Sequence, residues 1–153
     1  MANIAQVVNV LQAVILTEGA DMLLTPTYHV FDMYKVHQDA SHIAVEADSP
    51  SYVMDGKQIN QLSASASLNA ENQLHISLCN LHHAESLEVQ CDIKGHLGGT
   101  ISGLVITSDT MYAHNTFEEP DSVKSQPFTD YRIENEVLLV TLPARSVVTL
   151  CLT

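Results

Sequence analysis

The sequence predicts a mainly β protein, an antiparallel sandwich or barrel from residue 41 onward, preceded by an apolar segment that ends in a helix. Three observations carry this. After residue 40 the apolar residues recur with a period of two in many short runs. Gly, Asn, Asp and Pro separate those runs. Before residue 40 the pattern is different: two compact apolar runs are followed by a longer stretch without a breaker.

The first run, MANIAQVVNVLQAVIL, is almost wholly apolar but is dotted with Gln6, Asn9 and Gln12. Two apolar runs flank Thr17-Glu18-Gly19-Ala20-Asp21, which reads as a hairpin, with a helix through Val7 to Leu16 as the competing reading. TPTYHVFDMYKVHQ is the helix. Thr25 can cap it, Pro26 suits its first turn, and its apolar residues go most of the way round, so it expects burial on more than one side.

The strands follow as HIAVEAD, QLSASASL, QLHISLCN, SLEVQCDI, GTISGLVIT, TDYRIEN, EVLLVTLP and RSVVTLCL. Turn signals stand at Asp55-Gly56, Asn80, Gly95, Gly98-Gly99, Pro120, Pro127, Asn135 and Pro143. The longest stretch without a strand signal, SDTMYAHNTFEEPDSVKSQPF, has the length of a loop that is functional or wraps an edge.

The chain has 153 residues, enough for one ordinary domain and a small appendage, and is 46% hydrophobic. Six Lys and Arg against 18 Asp and Glu give a formal net charge of -12. That balance argues against nucleic acid and against anionic membranes, because both need a basic patch. The first basic residue is Lys35, so the opening run lacks the positive start of a signal peptide, and it is too short and too rich in amides to span a membrane. Three cysteines, Cys79, Cys91 and Cys151, show no C-x-x-C spacing, and buried thiols in a reducing compartment are the expectation.

No stretch carries a catalytic or metal signature. The 8 His lack H-E-x-x-H or any other ligand spacing: His82-His83 falls in a turn, and His29 and His37 fall on the helix with Asp32 between. Neither a metal nor a cofactor is expected. Glu118-Glu119 and the pair Glu134 and Glu136 are candidates for acid–base work by proximity alone, the second pair projecting to one face of a strand beside a turn. A solvated acidic surface accounts for both. There is no G-x-S-x-G elbow and no Gly-rich phosphate loop, and the cysteines sit in apolar runs where thiols are inert.

Whole-chain pattern is more informative than any motif. MANIAQVVNVLQAVILTEGADMLLTPTYHVFDMYKVHQDA, LHISLCNL, SDTMYAHNTFEEPDSVK and LLVTLPARSVVTLCL resemble, in order, the C-terminal portion of the α-L-arabinofuranosidases of glycoside hydrolase family 51. The resemblance implies the last β/α element of a (β/α)8 barrel over residues 1–40 (strand, hairpin, helix) and a jelly-roll-like β-sandwich over 41–153. A barrel strand buried on both faces would explain the apolar start, and its amides would lie near the active-site end. The resemblance further implies a retaining, exo-acting enzyme with two catalytic glutamates, neither of which matches a position in this chain. One position matches a substrate contact, the glutamine of NIAQ, here Gln6. Its amide can donate and accept at once, which suits an arabinose hydroxyl. Asn3 and Asn9 are read as structural.

The resemblance implies a cytoplasmic enzyme acting on arabinose-containing oligosaccharides, and a sandwich that can receive a strand from elsewhere in the enzyme. Without that strand, a sheet edge is open and invites a homo-oligomer. The rival reading is a free-standing carbohydrate-binding or oligomerisation sandwich. Aromatics of only 5% and the absence of Trp argue against a sugar-binding platform.

Overall fold

The computed structural model describes residue 4, residues 6–95 and residues 99–153. The expected barrel strand over Met1–Gln6 falls largely outside the described residues, and Gln6 itself belongs to no strand. The hairpin reading prevails over the competing helix: β1 (Ile15–Glu18) pairs antiparallel with β2 (Asp21–Leu24) across a two-residue loop. Asn9 and Gln12 have φ of 52° and 60°, which no helix through Val7 to Leu16 accommodates.

Helix α1 (Pro26–Tyr34) begins at proline as the sequence implies and tightens into a 3₁₀ turn at Lys35–His37. Thr25 occupies the capping position but does not cap. Its hydroxyl donates to the carbonyls of Ala13 (2.8 Å) and Val14 (3.1 Å) and so ties the helix start to the hairpin.

Eleven further strands follow: β3 (Ser41–Ile43), β4 (Ser51–Met54), β5 (Lys57–Asn60), β6 (Leu62–Leu68), β7 (Leu74–Asn80), β8 (Leu87–Cys91), β9 (Ile101–Ile106), β10 (Gln126–Pro127), β11 (Tyr131–Glu134), β12 (Val137–Leu142) and β13 (Ser146–Leu152). The first expected strand is cut to three residues, because β3 pairs with β6 only over Ser41–Ile43 and the chain then leaves the sheet. The β4–β5 hairpin goes beyond the expected strands. Its turn signal was visible, with Asp55 and Gly56 at φ of 50° and 73°, the pattern of a two-residue type I′ loop.

Two antiparallel sheets form the sandwich, one ordered β10-β9-β13-β7-β6-β3 and the other β11-β12-β8. Period-two alternation puts Leu62, Ala66, Leu74, Ile76, Leu78, Val148, Leu150 and Leu152 of the larger sheet against Leu138, Val140 and Leu142 of β12. Leu138, Val140 and Leu142 are wholly buried. Each such side chain contributes about 1.5–3 kcal/mol by leaving water. The Tyr131 hydroxyl crosses the sandwich to donate to the Ile101 carbonyl at 2.6 Å.

The outer face of the larger sheet receives α1. Met33, 1% exposed, packs with Ile106 and Val123, with Val30, Tyr34, Ala113 and Val147 around them. Only this side of the helix is well covered, since Phe31 on the other side is 40% exposed.

Candidate functional site

Gln6 is exposed; its chain neighbour Val7, with Ile4, Val14, Tyr28, Phe31 and Asp32, lines a surface depression of about 420 Å³. The depression is apolar apart from Asp32, whose carboxylate pairs with Lys35 at 2.7 Å. Asn9 is a structural residue. Its amide donates to Thr17 Oγ1 at 2.8 Å and its Oδ1 accepts from the Thr17 N–H at 2.7 Å, holding the hairpin against the preceding turn. Asn3 lies outside the described residues.

The candidate carboxylates do not converge on a site. Glu118 and Glu119 are exposed in the long loop, where Glu119 accepts from Ser122. Glu134 pairs with Arg132 at 2.8 Å, and Arg132 also reaches Glu88 at 3.2 Å. Glu136 does not project from a strand beside Glu134, as expected; it is in the turn itself, with Asn135 and Glu136 at φ of 51° and 64° between β11 and β12. Glu134 stays in the ladder opposite Val137 while the two-residue loop takes Glu136 out of its alternation, so the two carboxylates share no strand face.

His82-His83 falls in the turn expected. The Nδ1 of His82 accepts from the N–H groups of Ala84 and Glu85, and the Tyr52 hydroxyl is 2.9 Å from His83 Nδ1. On α1, the Nε2 of His29 is buried without a hydrogen-bond partner. Among the described residues no group of three His, Cys, Asp or Glu is placed to hold a metal ion.

One cluster has the geometry of nucleophilic catalysis. His37 bridges two serines, with Nδ1 2.6 Å from Ser67 Oγ and Nε2 2.7 Å from Ser77 Oγ. Beside it the Tyr34 hydroxyl meets Cys79 Sγ at 3.4 Å, and burial together with that thiol holds the phenol protonated far above its usual range. A serine nucleophile must meet its substrate. Ser67 and Ser77 are 4% and 1% exposed under the helix, so the cluster fastens rather than reacts. The sequence carried a sign of it in the SASAS run, which puts Ser63, Ser65 and Ser67 on one face of β6.

A groove of about 800 Å³ lies between the β6–β7 side of the larger sheet and β8, which is an edge strand of the smaller sheet. Inner-face residues Leu62, Ala66, Ile76, Val89 and Cys91 line it, with Glu46, Asp48, Glu88 and Asp92 at hand. Burial pushes the Cys91 thiol up to about 11. No aromatic ring lines the groove, so among the described residues it offers no stacking platform for a sugar.

Fold and site together define an antiparallel β-sandwich with a docked N-terminal helix, in which no catalytic constellation is assembled among the described residues. The chain belongs to the α-L-arabinofuranosidase C-terminal domain family, whose model matches residues 1–146. It is 42% identical over 151 residues to an intracellular exo-α-L-arabinofuranosidase of Bacteroides ovatus, covering 98% of this chain and 29% of that protein. The crystal structure of a family 51 arabinofuranosidase from Xanthomonas axonopodis pv. citri superposes with a TM-score of 0.95 at 39% identity, covering all of this chain and 31% of that one. A family 51 α-L-arabinofuranosidase from Bifidobacterium longum, at 22% identity and a TM-score of 0.86 over 97% of this chain and 30% of that one, shares the fold. The chain thus spans under a third of the length of the relatives it matches. Among the described residues no helix is long and apolar enough to cross a membrane.

Proposed function

We propose that this chain is the C-terminal part of an exo-acting, retaining α-L-arabinofuranosidase that removes terminal arabinofuranosyl groups from arabinose-containing oligosaccharides in the cytoplasm. The observation that carries the reading is the continuous match of the chain to one end-domain family and to under a third of an intracellular exo-α-L-arabinofuranosidase. In this reading residues 1–40 are the closing strand, hairpin and helix of a catalytic barrel, and residues 41–153 are its accessory sandwich. The two carboxylic acids of the retaining mechanism, spaced about 5–5.5 Å apart, belong to the rest of the barrel. Gln6 would reach the arabinose from the barrel rim, and no cofactor takes part. The exposed apolar side chains of the N-terminal segment and the open edge at β8 support association, either with the rest of the enzyme or between copies.

The test compares two proteins on an aryl α-L-arabinofuranoside. One is the chain alone; the other joins it to an upstream barrel from a family 51 relative. The reading expects hydrolysis from the second and none from the first. Turnover by the rigorously purified chain would overturn it.

A further inference from the structure

Besides the contact of the Tyr34 hydroxyl with Cys79 on β7, helix α1 is fastened to the larger sheet at two places. One is the apolar contact of Met33 with Ile106 and Val123. The other is polar and sits at the end of the helix, where His37 reaches Ser67 on β6 and Ser77 on β7. Both ring nitrogens are engaged, at 2.6 and 2.7 Å, by hydroxyls that are almost fully buried. A neutral imidazole fits this bridge, because one nitrogen donates and the other accepts. An imidazolium has two donors and no acceptor. The serine that had been donating must then send its proton elsewhere under the helix.

The surroundings give the added charge nothing to pair with. Tyr34, on the same helical segment, has its ring centroid 5.6 Å from that of His37. From β7, His75 faces it at 6.5 Å and Cys79 lies under Tyr34. From β3 comes His42, the ladder partner of Ser67, and from β13 comes Cys151, the ladder partner of His75. Two of these groups are further histidines and none is a carboxylate. Asp39, two residues along the chain, is exposed, and Lys35 is taken by Asp32.

We propose that His37 is an acid-released latch: as a neutral imidazole it pins the end of α1 to strands β6 and β7, and its protonation loosens the helix from the sandwich. Burial pushes His37 below the ordinary histidine range, with His75 adding to the effect, and burial does the same to His75. The sign follows. The unfolded chain takes up the proton near the ordinary value of about 6.5, and the docked state does so only at lower pH. The latch therefore contributes fully above about 6.5 and is lost as the pH falls from there through the docked value. This inference stands apart from the catalytic reading, since it concerns contacts wholly within the chain.

Hydrogen exchange on the full chain tests it. Protection factors, corrected for intrinsic exchange, are compared at about pH 7.5 and 5.5 for residues 26–37 and for Val137–Leu142 as an internal control. Wild type is expected to lose protection in the helix by about threefold or more, each unit of depression being worth up to tenfold. The control strand is expected to hold. His37→Gln keeps a donor and an acceptor without titrating, and its helix protection is expected to be flat with pH. Flat protection in wild type, or an equal fall in His37→Gln, would overturn the latch. If His37→Gln does not fold, the wild-type imidazole is titrated by NMR: a midpoint clearly below 6.5 supports the proposal, and one at or above about 6.5 overturns it.

Discussion

The side-chain amide of Asn115 donates to the backbone carbonyl of Leu24 at 2.7 Å, across 91 residues of chain. The same amide donates to the Val123 carbonyl at 2.9 Å, and Asn115 Oδ1 accepts from the Val123 N–H at 2.7 Å. One buried asparagine thus folds the long loop on itself and fixes it to the N-terminal hairpin. Asn115→Ala leaves three backbone groups without these partners, each worth about 1–3 kcal/mol when buried. Partial solvation of the loop lowers the total, so a loss of roughly 2–3 kcal/mol is expected in urea unfolding. Asn115→Asp keeps the acceptor but turns a carboxylate toward two carbonyl oxygens, and is expected to be no better at neutral pH. A loss in Asn115→Ala within the ordinary range of a surface change would remove this role.

How much of this was legible depends on what the signal needed. The strands β6, β7, β12 and β13 were, because the face turned to the sandwich core is apolar and prints a period of two on the sequence. The β4–β5 hairpin announced only its turn. Its strands, SYVM and KQIN, are mostly exposed, so no buried face imposes a hydrophobic alternation. Thr25 was in the capping position, yet its hydroxyl found carbonyls of the hairpin, a tertiary partner no local rule includes. The same holds for Asn115 and for the bridge from His37 to Ser67 and Ser77, whose partners are 30 and 40 residues away. The position of Gln6 came from resemblance alone: an exposed amide carries no signal of a ligand.

Gly103 interrupts β9 because a side chain has no room there. A Cβ at this position would meet Leu150 Cδ2 at 2.9 Å, the Phe128 carbonyl oxygen at 3.0 Å and Phe128 Cβ at 3.2 Å. Leu150 can shift, but the Phe128 carbonyl accepts no such freedom, and the Phe128 N–H is itself bonded to the Gly103 carbonyl at 2.8 Å. Gly103→Ala is expected to cost about 1–3 kcal/mol through overpacking, outweighing the gain in strand propensity. Thermal unfolding measures it, and a stabilised variant would show that β10 gives way freely.

Cys91 lines the groove and stays a thiol. With its pKa pushed up to about 11 by burial, only about 0.1% is thiolate at pH 8, against roughly a quarter of an unperturbed cysteine. Iodoacetamide should therefore alkylate Cys91 at least about tenfold more slowly than a free thiol at that pH, and urea should abolish the difference. Peptide mapping over time reads the rate at this one residue. Alkylation at the free-thiol rate would mean that the groove is wetter than the packing of β8 implies.

Association is expected of the chain by itself. Leu11 is 95% exposed, Met22 62% and Val7 51%, three apolar side chains that the N-terminal segment leaves in water. Sedimentation velocity should show dimers or larger species at high micromolar concentration. Leu11→Lys with Met22→Lys should shift the distribution toward monomer without lowering the unfolding midpoint, because both side chains are in water already. A clean monomer for the unaltered chain across that range would rule out this surface as a sticky one.

Under the proposed function, the chemistry of Gln6 is read in a fusion of this chain to a family 51 barrel. Its side chain is exposed, and among the described residues no hydrogen bond holds the amide in place. Joined to the rest of a barrel, an amide at the rim can donate to one sugar hydroxyl and accept from another. A neutral hydrogen bond contributes about 0.5–1.5 kcal/mol. If two such bonds form and strengthen in the transition state, Gln6→Ala lowers kcat/KM by roughly tenfold or more, since 1.36 kcal/mol is a factor of ten. The split between kcat and KM tells which state gains. A rise in KM alone would mean that ground and transition states are held equally, and an equal fall in kcat and kcat/KM would mean that the bond tightens as the glycosidic bond breaks. Gln6→Glu refines the reading, because it keeps the acceptor, loses the donor and adds a charge. The fold is expected to survive both changes, as no packing depends on an exposed amide. An unchanged kcat/KM in Gln6→Ala would remove the proposed sugar contact and leave the rest of the proposed function standing.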